Sequence, residues 1–194
     1  MALGKTPIQP ERIGSEWNVM ASETAKLWKD GAFQADPWRD SPEDGALEEA
    51  ADALVPLARF IADADFFLAR KGRLGVRVAA GEDVTVLTGH LGQIALVALE
   101  FPSFADGRNY SAARLLRERL GYDGEIRAVG DVLVDQIALM RRCGIDAFLV
   151  THGPTWEALQ AGRIPEVRHY YQPSSIPEIE IPAGSRPWAR QPAA

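Results

Sequence analysis

Cysteine is nearly absent from this chain: Cys143 is the single one among 194 residues. An internal disulfide and a self-contained Cys-ligated iron–sulfur cluster are therefore excluded, and a reducing compartment fits. Histidine is scarce as well. His90, His152 and His169 lie far apart without metal-ligand spacing, so a zinc or haem site would need all three to converge through the fold. No G-x-G-x-x-G, Walker loop, C-x-x-C, G-x-S-x-G or H-E-x-x-H occurs. Standard dinucleotide, NTPase, dithiol and serine-hydrolase sites have no support, and no cofactor or metal is evident.

Long apolar runs are missing too. Residues 84–99 are the longest uncharged stretch, short of the ~20 apolar residues of a spanning helix, and they include His90 and Gln93. The amino terminus shows no apolar h-region after its first charges, so a cytoplasmic protein is expected. There is no basic excess. A net charge of -6 argues against general nucleic-acid binding, which needs a basic face to neutralise phosphates. Hydrophobic residues at 46% and charged residues at 25% are ordinary globular usage, enough for one domain with a real core.

Residues 1–45 are punctuated by Pro7, Pro10, Pro37 and Pro42 but carry Trp17, Trp28, Phe33 and Trp38. They read as an arm lying across the core or against a second subunit. Residues 173–194 read as a Pro-rich, extended, mobile tail. Between them, residues 46–172 alternate between strand and helix patterns. Strands are expected at 53–60 (with Pro56 at an edge), 74–78, 93–99, 125–129 and 147–150. Helices are expected at 63–71, 111–121, 131–144 and 156–161, with Ser111 and Asp131 as N-caps. The order predicts an α/β fold, a small parallel sheet of βα repeats that is either a partial barrel or an open sheet.

What abounds is arginine set among carboxylates. Residues 100–146 hold seven arginines, eight acids and no lysine. Ligands of parallel α/β sheets collect beyond the carboxyl ends of the strands. The loops there offer Asp106, Arg108, Tyr110, Ser111, Asp131, Thr151 and His152. Free N–H groups at the two helix N-termini suit a sulfate-like, phosphate or carboxylate group.

Arg108 leads the anion-binding candidates because its fork can hold an oxyanion with two parallel hydrogen bonds; Ser111, His152 and Arg127 complete the set. The alternative for Arg108 is an ion pair with Asp106 or Asp131. Asp106, Tyr110 and Asp131 are the proton-transfer candidates, unless Asp106-Gly107 only forms a turn and Tyr110 only packs. Arg114, Arg117 and Arg119 lie off the apolar stripe of the first helix and can reach neighbouring elements or a partner. Gln136 lies within the apolar stripe of the next helix, so it needs backbone across the core or a ligand as partner. Cys143 ends that stripe as a buried small hydrophobe.

Residues 101–148, FPSFADGRNYSAARLLRERLGYDGEIRAVGDVLVDQIALMRRCGIDAF, resemble the signature of an uncharacterised bacterial family, the domain of unknown function numbered nine-three-four in its series and often labelled an oxidoreductase. The signature falls on Phe104, Asp106, Gly107, Arg108, Tyr110, Ser111, Arg114, Arg117, Arg127, Gly130, Asp131, Asp135 and Cys143. Ile145 and Leu149 depart from it. The family brings no established catalytic residues. Its members are typically encoded beside sulfite/nitrite reductase and adenylyl-sulfate reductase. The resemblance therefore implies a role in reducing sulfite, with sulfite reductase or a small sulfur oxyanion as partner.

Overall fold

The computed structural model describes residues 25–41, 50–165, 175, 180–181 and 191–192. Strands β3 (Arg39–Asp40), β4 (Ala53–Pro56), β5 (Leu74–Val78), β6 (Ile94–Phe101), β7 (Glu125–Gly130) and β8 (Ala147–Val150) lie side by side in chain order, all parallel. Antiparallel β1 (Lys26–Lys29) and β2 (Ala32–Gln34) complete an eight-stranded sheet beyond β8. Their link is a two-residue Asp30-Gly31 turn with φ of 51° and 78°, which matches the right-handed twist of a hairpin.

The helices are α1 (Leu57–Ala62), α2 (Ala64–Leu68), α3 (Arg108–Glu118), α4 (Val134–Arg142) and α5 (Gly153–Gln160). All five contribute to one core. Phe60, Phe67, Leu116, Ile137 and Leu159 pack there against Val55, Val76, Val97, Leu99, Ile126 and Phe148 of the sheet. Strand order never reverses and the helices keep to one face, so the sheet curls into a half-barrel. The α/β expectation holds, and the choice between barrel and open sheet resolves to the half-barrel.

Alternation along the strands sends the remaining side chains to the other face. Leu54, Leu96, Ala98 and Val129 form a second apolar cluster there, with Trp38 and Leu149 against it.

Several boundaries differ from expectation. The strand read over 53–60 stops at Pro56, and α1 starts at once, because Pro lacks the N–H to continue a ladder and suits the residue before a helix. Pro56 is tolerated because β3 pairs only with Ala53 and Leu54, leaving that side of β4 open. The helix read over 63–71 is the shorter α2, Ala64–Leu68, separated at Asp63 from α1, which occupies residues read as strand. The segment read as an arm supplies three strands from residue 26 onward. Trp28 belongs to the main core, its ring 5.7 Å from Phe148. Trp17, His169 and most of residues 173–194 lie outside the described residues. Ser175 is described: its N–H donates to the Arg142 carbonyl at 2.8 Å and its hydroxyl to Glu118 Oε1 at 2.7 Å. Strands β9 (Glu180–Ile181) and β10 (Gln191–Pro192) pair antiparallel. Among the described residues, no helix is long and apolar enough to cross a membrane.

Candidate functional site

The carboxyl ends of β5, β6 and β7 put residues 79–83, 102–107 and 131–133 side by side. The middle loop is held by two side chains that follow β7. Asp131 Oδ2 accepts the Phe104 N–H at 3.1 Å, and Gln136 Nε2 donates to the Phe104 carbonyl at 3.4 Å. Asn109, fully buried, donates its Nδ2 to the Glu100 carbonyl at 2.8 Å. Gly130 makes the close approach possible: its φ is +98°, and a Cβ there would run into the Phe101 carbonyl oxygen.

Arg108 is the first residue of α3, and its fork is already engaged. Its Nε donates to Asp106 Oδ1 at 3.0 Å and its Nη2 to Asp106 Oδ2 at 2.6 Å, while Asp106 Oδ1 also receives the Arg108 backbone N–H at 3.3 Å. One carboxylate thus occupies both the guanidinium and the positive end of the helix. The side-chain hydrogen bond from Arg108, helped by its charge and the backbone N–H, holds the Asp106 carboxyl below the usual range. It is ionised at neutral pH.

The N-cap expectations are corrected. Gly107 holds the cap position of α3, four residues before the expected Ser111, and Ser111 is exposed near the helix start, because the Asp106 carboxylate already accepts the first helical N–H, that of Arg108. Asp131 does not cap α4, which begins after Leu133; its carboxylate turns back to the Phe104 loop. The Leu133 N–H instead donates to Gln136 Oε1 at 3.3 Å, so Gln136 finds backbone partners at both ends of its amide.

Tyr110 packs edge-on against Phe101, ring centroids 5.1 Å apart. Burial pushes its phenol up to about 12, so it keeps its proton at neutral pH. His152 precedes α5, and its Nδ1 lies 2.9 Å from the hydroxyl of buried Thr155. Cys143 is a buried free thiol, and burial pushes its pKa up, which keeps it protonated.

The other arginines are distributed through the fold. Arg127 points to the second face of the sheet, is 1% exposed, and meets Asp36 at 2.8 Å and Glu125 at 2.7 Å. It is enclosed by carboxylates away from the strand ends. Arg117 sits at the opposite, amino end of the sheet. It joins Asp146 and donates to the carbonyls of Tyr122, Gly124 and Gly144. Arg114 pairs with Glu118 at 2.6 Å, and Arg119 is exposed at the end of α3. The structure therefore does not gather Arg108, Arg127 and His152 around one ligand position.

Sequence reasoning missed a second group. Arg77 of β5 bridges Glu100 of β6 and Asp40 of β3, each at 3.2 Å, on the second face near the carboxyl ends. Burial raises the Glu100 carboxyl despite Arg77. Alternation marks Arg77 and Glu100 as polar positions within otherwise apolar strands, but it does not say that they meet. Among the described residues, no three His, Cys, Asp or Glu side chains cluster as a metal site would require.

The mostly parallel strands and the helices along them define an α/β half-barrel protein, whose carboxyl-end loops, among the described residues, close on their own carboxylates. The chain belongs to the family described as bacterial protein of unknown function (DUF934), whose model matches residues 75–178, from β5 past α5. No curated protein matches the chain.

Proposed function

We propose that this protein is an accessory component of assimilatory sulfite reduction, docking on sulfite reductase in the cytoplasm rather than transforming a small anion itself. The observation that supports this reading is the bidentate Asp106–Arg108 pair at the start of α3. An anion-transforming enzyme would need that fork and that helix end open to substrate. Here both hold an ionised carboxylate, and an incoming sulfur oxyanion would meet like charge. The identity of the partner rests on the resemblance of residues 101–148 to a family encoded beside sulfite reductase.

A second reading, an enzyme, draws on one observation. Arg77 and the raised carboxyl of Glu100 stand together near the strand carboxyl ends, where α/β barrels carry their chemistry.

Two measurements separate the readings. Thermal unfolding is followed with sulfite, sulfate and adenylyl sulfate, and calorimetric titration is run against purified sulfite reductase. The docking role expects no anion-dependent rise in Tm and saturable binding to the reductase. A rise in Tm together with no reductase binding would put the enzyme reading in its place.

A further inference from the structure

Phe104 is, at 59%, the most exposed large hydrophobic side chain among the described residues. An exposed phenylalanine contributes little to the fold, yet its backbone is fixed on both sides by Asp131 and Gln136, side chains from beyond the next strand. A rigidly presented aromatic loses little freedom on binding, which is how interface anchors are built. The surroundings are one-signed. Among the described residues of the three adjacent rim loops and the first turn of α4, Glu82, Asp83, Asp106, Asp131 and Asp135 stand with one guanidinium, Arg108. The Thr85 N–H and Arg108 keep Asp83 and Asp106 below the ordinary carboxyl range, so both stay charged.

We infer that the carboxyl-end rim around Phe104, and not the Arg-bearing face of α3, is the docking surface, and that it fits a protein presenting an apolar pocket bordered by lysine and arginine. This deepens the docking role proposed above and rests on it for the partner's identity. Charge complementarity sets the class of partner: an acidic rim steers a basic surface toward it and turns away anionic ones. The face of α3 is the weaker choice, since Arg114 is paired within its helix and Arg117 is bound to backbone carbonyls.

The test combines capture and affinity. p-Benzoylphenylalanine replaces Phe104, or Arg119 as control, in cells reducing sulfate. The cross-linked protein is identified, purified and titrated with wild type, Phe104→Ala and Asp135→Asn. Expected are an adduct at position 104 alone, an affinity loss of about tenfold or more for Phe104→Ala, and binding that weakens with salt. If the adduct is sulfite reductase, both readings stand. If it is another protein whose binding has the same Phe104 and salt dependence, the surface stands and the sulfite-reductase reading falls. Capture at position 119 but not 104, no capture at either, or wild-type affinity in Phe104→Ala overturns the surface.

Discussion

Asp36 and Arg127 stand 91 residues apart in the chain and meet at 2.8 Å on the second face of the sheet. Glu125 completes the contact on the other edge of the guanidinium, and Lys29 closes the series with a 2.9 Å bond to Glu125. This chain of charges ties the segment after β2 and the end of β1 to the centre of the parallel sheet.

Arg127→Met is expected to destabilise strongly, by about 3 kcal/mol or more, because it leaves two carboxylates facing each other in a desolvated place. Urea unfolding measures it. Removing Asp36 as well should recover part of the loss, and a single variant as stable as wild type would show the network to be dispensable.

Glu125 and Glu100 should respond to pH with opposite signs. Burial pushes Glu125 up, but Arg127 and Lys29 outweigh it and hold the carboxyl below its ordinary value of 4.5. Its stabilisation is present above that value and is lost as pH falls through the lower, folded value. Glu100 is raised above the same reference by burial, so its charged form opposes folding at neutral pH. Glu100→Gln should therefore raise Tm near neutrality, and the gain should fade as the medium is acidified below the reference value. Tm profiles against pH decide it; a neutral-pH loss in Glu100→Gln would mean that its pair with Arg77 outweighs burial.

Gly130→Ala forces a side chain into a left-handed conformation against the Phe101 carbonyl. A loss on the order of 1–3 kcal/mol is expected. The Phe104 loop should loosen with it, seen as faster amide exchange at Phe104. An unchanged Tm would contradict the close approach of β6 and β7 at this point.

Arg108→Ala frees the Asp106 carboxylate at an exposed site, so the fold should persist with a small change in stability. Binding of sulfur oxyanions should be absent in both proteins. A wild-type thermal shift with sulfite that disappears in this variant would return Arg108 to a ligand-binding role.

Much of the fold was legible. Leu74–Val78 and Ala147–Val150 stand where the alternation and apolar runs put them. Local signals failed where two readings competed. Ser111 and Asp131 are good N-cap types, but Asp106 reaches the helix end first and Asp131 is drawn to the Phe104 N–H instead. The candidate site was legible only in its loops. That Arg127 would face Asp36, or Arg77 would join Asp40 to Glu100, depends on sheet register between distant segments, which no periodicity encodes.

Docking on sulfite reductase is tested most directly by sedimentation velocity of the purified protein mixed with purified sulfite reductase at low salt. The account expects a single faster boundary containing both, which dissolves toward the separate species as salt is raised and does not depend on added sulfite. Independent sedimentation of the two at every salt concentration would contradict it.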